Sequence, residues 1–163
     1  MKPKPSPLNC THYFVTDLSV SANPLYDPES EIDLTGDSLD IESRVEAPED
    51  DEAHWQIILD VSQNLGPEAN APYNFGIQII GFFQIQDGFP KDKETTFLSI
   101  NGSSLLFGVA REMLRNAMTA GPHAPLMLPT VSFFDPALLG KAAKQKSASK
   151  KSAKKGQKKK PKA

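Results

Sequence analysis

Tyr73-Asn74-Phe75-Gly76-Ile77-Gln78-Ile79-Ile80-Gly81-Phe82-Phe83-Gln84-Ile85-Gln86 alternates two kinds of side chain along its whole length. Successive side chains of a strand point to opposite faces. Tyr73, Phe75, Ile77, Ile79, Phe83 and Ile85 therefore share one face, which is apolar enough to lie on a core. Asn74, Gly76, Gln78, Ile80, Phe82, Gln84 and Gln86 share the other, which is only partly polar. Ile80 and Phe82 on that nominally outer face need a partner or a ligand. The apolar run at residues 75–83 is broken by Gly and Gln and falls well short of the ~20 residues of a membrane span.

Upstream of this strand, Trp55, Ile57, Leu59 and Val61 repeat the period of two, and Leu39, Ile41, Arg44 and Val45 mark another strand before them. The acidic stretch Pro48-Glu49-Asp50-Asp51-Glu52 suits a hairpin connection between the two. Residues 11–20 alternate around β-branched and aromatic side chains and give the first strand. Between it and the second strand, Asn23-Pro24 and Asp27-Pro28 forbid regular ladder bonding, so residues 21–37 read as a long acidic loop. Residues 1–10, rich in Pro and Lys, have little to bury and read as a flexible arm.

Downstream the period changes. Leu105, Leu106, Val109, Met113, Ala117 and Met118 recur near every 3.6 residues, predicting a helix over 102–120. Ser103 or Ser104 is placed to cap its start, and Gly121-Pro122 to end it. A Pro-punctuated apolar connector, Pro125 to Phe134, leads to Asp135-Pro136-Ala137-Leu138-Leu139, where Asp caps and Pro opens a short second helix. Strands first and helices after make the fold class α+β, with a four-stranded antiparallel sheet and one long and one short C-terminal helix. One body over residues 11–140 accounts for all of these elements.

From Lys141 onward only Lys, Ala, Ser, Gln, Gly and Pro occur, a composition that supplies no core, so residues 141–163 read as a disordered tail. The tail holds eleven of the 18 basic residues and no acid; seven bases against all 20 acids leave residues 1–140 at −13, although the whole chain is only −2. Lysines without arginines or aromatics suit point-charge contact rather than base readout. Their target could be an anionic surface, either ribosomal RNA or a membrane, or there could be none beyond solubility. The single cysteine, Cys10, has no disulfide partner, and His12, His54 and His123 lack metal-ligand spacing. Neither a metal nor a His-dependent enzyme is expected. No apolar stretch follows the basic N-terminus as a signal peptide requires, so the expected compartment is the cytosol.

Four segments in order resemble the SecB chaperone family. Asn101-Gly102-Ser103-Ser104-Leu105-Leu106-Phe107-Gly108-Val109-Ala110-Arg111-Glu112 is similar to its helix signature, and Leu126-Met127-Leu128-Pro129-Thr130-Val131-Ser132-Phe133 to its connector. Phe75-Gly76-Ile77-Gln78 with Gly81-Phe82-Phe83-Gln84-Ile85 resembles its fourth strand, and Val15-Thr16-Asp17-Leu18-Ser19 its first. The resemblance implies a homo-oligomer, a dimer of dimers with long helices packed between, that holds unfolded preproteins for translocation without cofactor or catalysis. It places a peptide-binding groove at Leu25, Tyr26, Leu39, Ile41, Phe133, Phe134, Leu138 and Leu139. It also implies docking to the SecA motor on the outer sheet face, where Asp17 matches one of the family's acids while Ser21 and Gly76 stand at others. Val109 stands where the family commonly has Tyr, and Phe134 and Pro136 depart from the usual end of the connector. The tail could also do the motor-contacting work of the family's own C-terminal extension. Two alternatives stay open: a dedicated chaperone for a single client such as an antitoxin, and a nucleic-acid-associated protein that binds through its Lys-rich tail.

Overall fold

The computed structural model describes residues 3–48 and 54–134. The chain divides into two units, Met1–Phe133 and Phe134–Ala163, and only Phe134 of the second is described. The expected second helix, with Leu138 and Leu139, and the Lys-rich segment lie outside the described residues.

The described residues of the first unit form four strands, β1 (Leu8–Ala22), β2 (Leu39–Glu46), β3 (Trp55–Gln63) and β4 (Tyr73–Ile85), followed by one α-helix, α1 (Glu94–Met118). They form a single antiparallel sheet in the order β1-β4-β3-β2. β4, the strand with the longest alternation, is central, and its apolar face is buried from Tyr73 to Phe83. Ile57, Leu59 and Val61 of β3 extend that face, and Leu98, Leu106, Phe107, Ala110, Leu114 and Met118 of α1 cover it. Each fully buried Leu, Ile or Phe in such a layer stabilises it by about 1.5–3 kcal/mol.

Two glycines bring helix and sheet into contact. A Cβ on Gly81 would lie 2.7 Å from Leu106 Cδ2, and one on Gly102 would overlap Ile57 Cδ1. Gly81 is thus the gap in the apolar face of β4 into which a helix side chain fits. Gly102 corrects the expected helix start. α1 begins at Glu94, eight residues before Gly102, and neither Ser103 nor Ser104 caps it. Ser103 is fully buried with its hydroxyl 2.6 Å from that of Ser43, and the Ser104 hydroxyl donates to the Ile100 carbonyl at 2.5 Å. Close packing against β3, not a turn, selects glycine within the helix.

β1 also starts earlier than the expected Thr11. Leu8 and Cys10 pair with Ile85 and Phe83 and pack against the core. Two bulges, at Thr11 and Thr16, interrupt its register. Each extra residue resets which side chains face the core. Val15 and Val20 consequently face inward with Leu8 and Cys10, while His12, Phe14 and Asp17 face outward.

Candidate peptide-binding surface

β1 and β2 are the two edges of the sheet, so the segment joining them must cross one whole end of it. Residues 23–35 make that crossing and end in a 3-10 turn at Gly36–Ser38. The β3–β4 connection lies at the same end, and polar side chains fasten the two together. The Asn23 amide donates to the Ala71 carbonyl at 2.9 Å, and its backbone N–H donates to the Pro72 carbonyl at 2.9 Å. The Asn70 side chain donates to the carbonyls of Asp27 (3.0 Å) and Glu31 (2.9 Å) and accepts from the Asp27 N–H (2.9 Å). Asp27 itself is held as a carboxylate, below the usual range, by the Ser30 hydroxyl and then by the Glu29 N–H. The sequence reads as a long acidic loop here; the fold makes it a tied crossover.

Leu25 and Tyr26, adjacent on this crossover, have different surroundings. Leu25 is 79% exposed. Tyr26 is half-buried, its ring edge-on to His123 at a centroid distance of 5.0 Å. His123 is fixed in turn by Tyr73, whose hydroxyl donates to its carbonyl at 2.5 Å and accepts from its N–H at 3.0 Å. Tyr26 is therefore a packed residue at the C-terminal end of α1, and Leu25 is the free apolar side chain.

Of the other expected groove residues, Leu39, Ile41 and Phe133 lie along the edge where β2 meets α1. Ile41 is opposite buried Val61, and Leu39 and Ile41 are half-buried against the core. Ser43 bonds to Ser103, and Phe107 lies four residues along the same helix face. Phe133 packs on Phe107 at 6.1 Å with the rings inclined by 67°. Leu39, Ile41 and Phe133 thus come to one side of the helix, and Leu25 and Tyr26 to the crossover end of the sheet. Phe134 is 46% exposed, and Leu138 and Leu139 fall outside the described residues.

The outer sheet face carries cross-strand rows. Asp17, Gln78, Asp60 and Glu42 stand in one line across all four strands, with Gln78 donating to Asp60 at 2.7 Å and accepting from Thr16 at 2.5 Å. The next row is Phe14, Ile80, Ile58 and Arg44. Phe82 is covered by His12, stacked at 4.4 Å, and by Phe14 at 5.8 Å, so β1 provides the partner that the β4 sequence demanded. Ser21 and Gly76 lie on this face as well, opposite Asn74 and Ser19, but Asp60 and Glu42 supply acids that the linear sequence did not single out. A cross-strand register is invisible until strand order is known.

No cluster of His, Cys, Asp or Glu that could hold a metal occurs among the described residues, and no helix among them is long and apolar enough to cross a membrane. Burial raises the Cys10 thiol above its ordinary value, the opposite of what a reactive thiolate requires.

What the described residues define is an α+β fold in which one antiparallel sheet is covered on one face by a long helix. The chain belongs to the SecB family: the model of the preprotein translocase subunit SecB matches residues 2–145. Two relatives are each named protein-export protein SecB and are 30% identical over 95 residues. The match to the Psychrobacter arcticus protein spans 58% of this chain and 64% of that protein; to the Psychrobacter cryohalolentis protein, 58% and 63%. The matches thus fall short of two thirds of those relatives' length. Among solved structures, the Mycobacterium tuberculosis SecB-like chaperone, in complex with a peptide from an antitoxin, has the same fold. Its TM-score is 0.58 at 11% identity, over 76% of this chain and 90% of that one.

Proposed function

We propose that this protein is an ATP-independent holdase that binds unfolded polypeptides, export precursors among them, and keeps them competent for translocation in the cytosol. The observation that carries this reading is Leu25, a large apolar side chain 79% exposed on a crossover that hydrogen bonds hold in place. A surface that captures many apolar segments uses such a side chain, held in place in advance. Half-buried Leu39, Ile41 and Phe133 at the β2–α1 edge add a second apolar contact region. Binding of this kind involves no covalent step and no cofactor.

Assembly as a dimer of dimers fits the sheet edge. β1 is a fifteen-residue edge strand on which Tyr13 and Leu18, on the face toward the helix, and Phe14, on the outer face, are each more than 40% exposed, and its free edge is open to pairing with another copy. The acidic row of Asp17, Asp60 and Glu42 would then lie on the outside, suited to a basic contact on the SecA motor. The test is suppression of aggregation of an unfolded protein by equimolar chaperone without ATP. Suppression for several unrelated clients is expected. Failure with every client would overturn the reading, and activity toward only one would replace it with a dedicated chaperone.

A further inference from the structure

The crossover raises a physical problem. A segment of about thirteen residues carrying the exposed Leu25 would lose backbone freedom at every residue, at the expense of affinity, if it became ordered only when a client arrived. One residue on the neighbouring connection carries many of the bonds that hold it. Asn70 makes five hydrogen bonds to the crossover: three through its side chain, to Asp27 and Glu31 as above, and two through its backbone. Its N–H donates to Asp33 Oδ2 at 2.8 Å, and its carbonyl accepts from the Asp33 N–H at 3.0 Å. A carboxamide suits this position because it presents an acceptor to one N–H and donors to two carbonyls at once. Asn70 and Pro67 also form, with Glu68, one wall of a surface cleft of about 470 Å³ whose other wall is Leu25, Asp27 and Ser30. Whatever fixes Asn70 against the crossover fixes the shape of that cleft.

We infer that Asn70 is the positioning residue of the client-binding crossover: through its bonds to Asp27, Glu31 and Asp33 it holds Leu25 and the cleft in the binding geometry beforehand. The inference rests on the holdase reading above. It adds which residue sets affinity at that site.

The test measures the dissociation constant of a labelled, reduced and carboxymethylated model protein for the full chain and for Asn70→Ala, Leu25→Ala and the double variant. Asn70→Ala is expected to weaken binding about tenfold with its melting transition still cooperative, and to speed hydrogen exchange at the Asp27 and Asp33 amides. In the Leu25→Ala background the same substitution should cost under threefold, because a positioning residue has nothing left to position. Equal costs in the two backgrounds would reduce Asn70 to a general stabiliser and overturn the inference. If Asn70→Ala does not fold, Asp33→Ala removes one bond of the staple from the exposed side. It should weaken binding in the same direction, and undiminished affinity there would also sink the proposal. Absence of binding by the wild type refutes the holdase reading instead, so the two failures are separable.

Discussion

Arg111 Nε donates to the Leu128 carbonyl oxygen at 3.0 Å, joining the middle of α1 to the connector that follows it. The connector thereby runs back along the helix, with Leu126 and Leu128 buried and Phe133 reaching Phe107. The bond explains why Ala-Arg-Glu and Leu-x-Leu-Pro, separated in sequence, occur together: one supplies the cation and the other the carbonyl it satisfies. Hydrogen bonds to a charged group typically contribute about 1.5–3 kcal/mol. Arg111→Ala should lower unfolding free energy by about that amount in urea titrations. Arg111→Lys should recover only part, since an ammonium cannot reproduce the Nε geometry.

Gly102→Ala sets two effects against each other. Alanine favours a helix interior by about 1 kcal/mol over glycine, but its Cβ would overlap Ile57, which is fully buried and has no solvent to swing into. Overpacking of this kind costs about 1–3 kcal/mol. A net destabilisation of up to about 2 kcal/mol is expected by thermal melting. A variant more stable than wild type would mean that the helix does not approach β3 so closely.

How much of this was legible beforehand follows from where each signal resides. The four strands were readable because alternation at Trp55, Ile57, Leu59 and Val61 or Tyr73, Phe75 and Ile77 is a local pattern with one physical meaning. The first turns of α1 were not, because Gly102 resembles a boundary until Ile57 is seen against it. Leu25 could be singled out, as an apolar residue among Pro and acids. Its difference from Tyr26 could not, since it depends on His123, distant in sequence. Asn70 looked like any loop asparagine; its importance comes from the strand order that sends the crossover past it.

That difference between Leu25 and Tyr26 predicts separable phenotypes. Leu25→Asp changes an exposed residue and should leave stability within about 0.5 kcal/mol, yet weaken suppression of aggregation. Tyr26→Asp removes the ring packed on His123 and should lower the melting temperature as well. Both are read by running the light-scattering and melting experiments on the same samples. Equal melting temperatures for the two would count against the packed role of Tyr26.

Asp27 gives the crossover an acid dependence. Its folded-state pKa is depressed, chiefly by the Ser30 hydroxyl. Its contribution to order is therefore complete above the ordinary carboxylate pKa of about 3.9 and is lost as pH falls through the lower folded value. Hydrogen exchange at the Glu29 amide, which donates to Asp27 at 3.0 Å, should become less protected, relative to intrinsic rates, only below about pH 4. Asp27→Asn should remove most of that step. A loss of protection centred near pH 6 would point to a histidine instead.

The Lys-rich segment carries a prediction that depends on charge alone. Residues 1–140 bear −13, so by themselves they should be repelled by anionic vesicles, while eleven lysines in residues 141–163 should attract. Each lysine engaged near such a surface contributes about 1 kcal/mol, enough for a few of them to outweigh the repulsion at low ionic strength, where the Debye length is long. The full chain should cosediment with anionic vesicles in ~0.01 M salt and be released by ~0.15 M as that length shortens from about 30 Å to about 8 Å. A chain ending at Gly140 should not cosediment at either salt, while suppressing aggregation as well as the full chain does. Loss of suppression on truncation would show that the segment takes part in holding clients, and the division between an acidic binding body and a basic tether would have to be abandoned.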